Sequence, residues 1–266
     1  MLWRTACLAV ALAAPAVGAM AGEPANPLVN GPTWESLRYD IAGDAAIADG
    51  AALFEVDAPY RAHDAATVPV RIHQLDPAAR ITKTTVIIDE NPAPVAGEFT
   101  FGPAMGPLDF ELRVRVNQYS DLRVIAETAE GLAMTGRYVK ASGGCAAPAS
   151  RDPELALASM GQMKLKSFEG APGGRREVQV MIRHPNYSGL QRDQVTHLFI
   201  PAHFISELEV RQGGDLLFRM EGGISISENP VFRFSYDDDG SPALSVTATD
   251  TEGNTFRQEL AKDSAS

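Results

Sequence analysis

The chain has 266 residues, with 23 Lys+Arg against 34 Asp+Glu and a formal net charge of −11. That balance argues against nucleic acid and against anionic membrane surfaces as partners, because both would repel it. No run of about 20 apolar residues occurs anywhere, so no membrane-spanning helix is expected.

The first 21 residues, "MLWRTACLAVALAAPAVGAMA", read as a signal peptide. Arg4 supplies the early positive charge, an apolar run extends from Ala6 to Ala14, and Ala19-Met20-Ala21 is the small-x-small pattern at which signal peptidases cut. Export to the periplasm, or out of the cell, is the expectation. Cleavage removes Cys7 and leaves Cys145 as the only thiol, so an internal disulfide is impossible.

Next comes a helix over 32–41, "PTWESLRYDI", with Trp34, Leu37 and Ile41 on one face and Thr33 as a candidate cap. Short alternating or β-rich runs follow at 67–75, 81–89, 98–103, 109–117, 122–130 and 131–142. A second helix is expected over 152–160, where Asp152 can cap and Pro153 occupies the first helical position. A further set of strands then reads at 176–184, 206–221, 231–236 and 243–260, broken by the turns "QGGD" and "TEGN". "YDDDGS" at 236–241 lacks the spacing and terminal Glu of a calcium loop and reads as a hairpin turn.

Short strands with a turn signal about every ten residues predict an all-β protein of two antiparallel sandwiches, over 32–142 and 153–262. Between them, 143–152 has the Ala/Gly/Ser/Pro composition of a linker, and this linker carries the cysteine: "ASGGCAAP", 141–148. With glycines before it and alanines after it, Cys145 is expected to be exposed. Gly143, Gly144, Ala146 and Ala147 would form a swinging arm, with a reach of about 15–20 Å if free. Lys140, Arg137 and Arg151 are close enough in sequence to lower the thiol pKa. An exposed thiol could also form a disulfide-linked dimer through Cys145.

The five histidines, His63, His73, His184, His197 and His203, are scattered and read as structural, with no metal and no cofactor expected. No phosphate-binding loop, dinucleotide fingerprint or serine nucleophile elbow is present in the sequence.

The segment "GRYVKASGGCAAP", with "TVPVRI", "NPAPV", "FTFGP" and "DLRVIAETAEG" upstream in order, resembles SoxY, the sulfur-compound carrier of thiosulfate-oxidising systems. "RHPNYSGL", "IPAHFI", "SENP" with "FRFSY", and "VTATDTEGN" resemble SoxZ. Together they resemble the fused SoxYZ-like carriers associated with quinoprotein dehydrogenases. The resemblance implies two immunoglobulin-like sandwiches in permanent contact and a sulfur-containing group held covalently on Cys145. It also implies periplasmic redox enzymes, of the Sox type or a quinoprotein dehydrogenase system, that do the chemistry while the carrier does none. Two departures stand out: the cysteine is followed by Ala-Ala-Pro where the SoxY arm has Gly-Gly, and the segment is tethered at both ends. A thiol-dependent transferase or reductase, and a non-covalent accessory protein of such a dehydrogenase, are the alternatives.

Overall fold

A computed structural model describes residues 28, 30–148, 153–169 and 172–262. The leader at 1–21 and Arg151 lie outside them. Helix α1, Pro32–Ala42, forms where expected but starts two residues earlier than a Thr33 cap would allow: Pro32 is its first residue and Gly31 its cap. Strands β1 (Ile47–Asp49) and β2 (Phe54–Asp57) come next, then β3 (Val68–Gln74), β4 (Lys83–Ile88), β5 (Val95–Phe101), β6 (Asp109–Val114), β7 (Ser120–Thr128) and β8 (Gly131–Val139). After the cysteine segment come α2 (Pro153–Ala158), β9 (Met163–Phe168), β10 (Arg176–Ile182), β11 (Ile205–Gln212), β12 (Asp215–Gly222), β13 (Val231–Tyr236), β14 (Ala243–Asp250) and β15 (Thr255–Ala261).

The period-2 pattern decides which side of each strand faces the core. In β3, Val68, Val70 and Ile72 are buried while Pro69 and Arg71 are exposed; in β14, Leu244, Val246 and Ala248 point inward. Strand β4 breaks the alternation and is buried on both faces from Thr84 to Ile88. Its outer face is covered by α1, whose Trp34 packs with Ile87 and Ile125 and lies 4.4 Å beneath the buried guanidinium of Arg123. Arg123 is held in turn by Asp89 at 2.9 Å and Asp121 at 3.2 Å.

The protein is all-β, as predicted, and its two sheets each run through both halves of the chain. One sheet has the order β1-β8-β7-β4-β5-β12-β11-β14-β15 and the other β2-β3-β6-β13-β10-β9. The halves therefore join as strand neighbours twice, β5 antiparallel to β12 and β6 antiparallel to β13. Between these junctions Phe99, Phe101, Phe110, Phe218, Phe232 and Phe234 meet at ring separations of 5.1–6.4 Å, within one continuous apolar core.

The turns at Gly213-Gly214 and Gly253 form as read, each glycine at positive φ. "YDDDGS" does not close a hairpin, because β13 and β14 lie in different sheets. It is a crossover pinned by Asp238, which pairs with Arg176 at 2.8 Å and with Lys262.

Candidate thiol site at the seam

After β8 the chain crosses the junction between the halves instead of leaving the body. Gly143 donates its N–H to Asn117 O at 2.8 Å and Gly144 donates to Val116 O at 3.0 Å. Residues Gly144–Ala146 close into a single 3-10 turn. Gly143 sits in the left-handed region, at φ 81°, which favours glycine. Gly144 is required for a different reason: a Cβ there would lie 2.0 Å from the Ala65 carbonyl oxygen.

The second half grips the same turn from the other side. Ser188 Oγ donates to the Cys145 carbonyl, and Gln191 Nε2 donates to Ala147 O at 3.0 Å. Cys145 is fully buried. The exposed thiol expected from its bare flanks is thus corrected. Small flanking residues reduce local bulk, but here they also let the backbone nest against Ala65, Val116 and Ser188. Gly143, Gly144, Ala146 and Ala147 form a clamped turn and not a swinging arm; of the four, Gly143 and Ala146 face solvent. With its sulfur enclosed, Cys145 cannot reach a second copy in this state, which removes the basis for a disulfide-linked dimer.

Burial pushes the Cys145 thiol up to about 11, against the opposing pull of the Arg115 guanidinium. The cation at the thiol is therefore Arg115, not the sequence neighbours Arg137 and Lys140. Lys140 lies 4.8 Å over the Tyr60 ring, and Arg137 lines a surface cleft with Glu55 and Asp57. Arg115 is 1% exposed. Its Nη1 donates to Gly144 O at 3.4 Å and its Nη2 to Asn186 O at 3.1 Å, while Nε has no hydrogen-bond partner. Glu228 and Asp64 act on it only through space. Sequence reading missed Arg115 because it continues β6 on the phase of exposed Arg113; its burial comes with contacts to the cysteine turn and to Asn186 of the second half.

Asn186 ties this centre to a second buried cluster. Its N–H donates to His184 Nδ1 at 3.0 Å, its side chain binds Ser227 O and Ile205 N–H, and its φ of 42° is one that Asn tolerates. Asp250 Oδ2 lies 2.8 Å from His203 Nε2 and 3.4 Å from His184 Nε2. Three ligand-type atoms so close invite a metal reading. The proton inventory opposes it: His184 Nδ1 accepts from a backbone N–H, so Nε2 carries the ring proton and has no lone pair to offer. His184, His203 and Asp250 are a proton-bridged tie between the loop after β10 and the end of β14, consistent with the structural role read for both histidines. His63, His73 and His197 lie apart from this cluster, and His197 takes positive φ in a loop.

The fold and the seam define a two-part β-sandwich protein that encloses one thiol at the joint between its parts. Two family models match in succession: Sulfur oxidation protein SoxY over residues 38–145, ending on the cysteine itself, and Sulphur oxidation protein SoxZ over residues 164–261. The chain is a SoxYZ-like fusion, a SoxY domain followed by a SoxZ domain. Among solved structures, the sulfur carrier protein SoxY from Chlorobium limicola f thiosulfatophilum is 26% identical over 41% of this chain and 94% of its own, with a TM-score of 0.34. A beta-glycosidase from Bacteroides vulgatus is 10% identical over 79% of this chain and 24% of its own, with a TM-score of 0.25. No curated protein matches the chain.

Proposed function

We propose that this protein is a periplasmic covalent carrier that holds a sulfur-containing group on Cys145 and presents it to partner oxidising enzymes, without catalysing a reaction itself. The observation that carries the reading is the placement of Cys145 at the final residue of the SoxY match, in a turn clamped by the SoxZ half. A raised thiol pKa is the opposite of what an enzymic nucleophile needs, which disfavours the transferase or reductase alternative. It suits a carrier that must keep its thiol unreacted in an oxidising compartment until a partner opens the turn. The signal-type leader supports the location, and the SoxY and SoxZ domains support partners of the Sox type; a quinoprotein dehydrogenase system as partner rests on the sequence resemblance.

Intact-mass measurement on protein isolated from its native host tests this. A sulfur-containing adduct that dithiothreitol removes and that Cys145→Ser abolishes is the expected result. Turnover by the isolated chain would favour an enzyme. An unmodified thiol under sulfur-oxidising growth would favour a non-covalent accessory role.

A further inference from the structure

His184 is buried, and the segment that follows it carries the bonds by which the second half grips the cysteine turn. Asn186 O accepts from Arg115, whose other terminal nitrogen donates to Gly144 O; Ser188 Oγ donates to the Cys145 carbonyl; Gln191 Nε2 donates to Ala147 O. One ring anchors the start of this segment, because His184 Nδ1 accepts the Asn186 N–H at 3.0 Å. Only a neutral imidazole can do so. Protonation gives the ring two N–H donors and no acceptor, and turning the ring over does not restore one. The buried Asn186 N–H then faces a second donor and loses its bond, which is costly.

The groups around His184 decide where a proton is tolerated. Asp250 Oδ2, at the end of β14, lies 3.4 Å from His184 Nε2; the His203 ring, just before β11, lies 4.8 Å away; β15 contributes the uncharged Phe256. Arg183, the preceding residue, is exposed. His203 can take up a proton without losing a bond, since its Nε2 lies 2.8 Å from Asp250 and its Nδ1 3.5 Å from Glu252. His184 has no such freedom. Burial first, and then His203, hold its pKa below the ordinary 6.5. The closed seam therefore binds fewer protons than an opened one. Closure is complete above pH 6.5 and weakens as the pH falls below it.

We propose that His184 is an acid-operated latch: its protonation frees residues 186–191 from the cysteine turn, so that Cys145, enclosed at neutral pH, becomes reachable as its surroundings acidify. The latch sets access to the thiol and does not depend on what the thiol carries.

Modification of the purified mature chain by 4,4′-dithiodipyridine, which reacts with thiols in acid as well as at neutral pH, tests this. The Cys145 sulfur attacks one reagent sulfur and a Cys–S–S–pyridine bond forms. The reagent's own S–S bond breaks, and 4-thiopyridone leaves with the electron pair and takes up the thiol proton. At each pH the rate in buffer is divided by the rate in urea, which cancels the titration of thiol and reagent. From pH 7.5 to pH 5 that ratio should rise at least about tenfold, because His184 titrates near 6.5 when opened and below it when closed. The far-UV circular dichroism spectrum should stay native throughout. In His184→Asn, whose side-chain carbonyl replaces Nδ1 as acceptor and does not titrate, the ratio should stay flat. Nitrogen NMR of the rings in the native protein is the second readout: His184 protonation and the rise in reactivity should share a midpoint, and this decides the matter if His184→Asn fails to fold. A flat ratio in the native protein, an equal rise in folded His184→Asn, a rise that coincides with loss of the native spectrum, or reactivity that rises while His184 stays neutral would each overturn the latch. The carrier reading is tested separately, by intact mass.

Discussion

At the scale of single residues, the thiol segment is governed by two glycines and a charge. Gly144→Ala places a methyl group against the Ala65 carbonyl and should destabilise the protein by about 1–3 kcal/mol, as overpacking does. Urea denaturation measures it; an unchanged midpoint would mean the turn yields freely. Cys145 has a pH signature. Its folded value of about 11 lies above the ordinary 9.0, because burial disfavours the thiolate. The folded state therefore keeps a proton that the unfolded state gives up, and the stability this contributes is present below pH 9 and lost as pH rises from 9 to 11. Stability measured from pH 8 to 11 should fall more steeply for the native protein than for Cys145→Ala; parallel curves would show that the thiol titrates normally.

At the scale of elements, the strands were legible because turns and alternation marked them. Strand β13 spans 231–236 as read, and β14 with β15 flank the predicted "TEGN" turn. Strands β1, β2 and β9 were missed: β1 and β2 are only three and four residues long, whereas in β9 the alternation Met163-Lys164-Leu165-Lys166 was a legible signal. The cysteine turn was misread for a physical reason. Gly-Gly-Cys-Ala-Ala has the composition of a free linker, but the same small residues allow close backbone approach, and the contacts that exploit this lie apart in sequence, Ala65 and Val116 in the first half and Ser188 and Gln191 in the second. Helix α1 was read from its apolar face, and its anchorage can be tested. Trp34→Ala removes both the packing on Ile87 and Ile125 and the stack on Arg123, and should cost about 3–5 kcal/mol. A loss below about 1 kcal/mol would show that α1 rests loosely on the sheet.

At the scale of the whole molecule, fusion builds one body from two domains. Both sheets pass through the joint, and the phenylalanine cluster fills the space between them. Cleaving an engineered protease site placed between Pro148 and Pro153 should leave the halves together in gel filtration at micromolar concentration, whereas Phe110→Ala added to the cut protein should let them separate. Separation of the cut native halves would show that the tether, not the seam, holds them. The motifs that resemble SoxZ have their meaning here. Of "RHPNYSGL", Ser188 donates to the Cys145 carbonyl, Asn186 O accepts from Arg115 and His184 Nδ1 accepts from the Asn186 N–H, so the second domain clamps the turn that carries the first domain's cysteine. That closure is the central claim, and the rate of thiol modification tests it most directly. At pH 8, a small neutral thiol reagent should modify Cys145 in the folded protein at least about 100-fold more slowly than in urea, since two pH units of thiolate population are lost before access is considered. Replacing Ser188 and Gln191 together by alanine should recover much of that rate. Modification of the folded native protein within about tenfold of the unfolded rate would contradict the closed, clamped thiol.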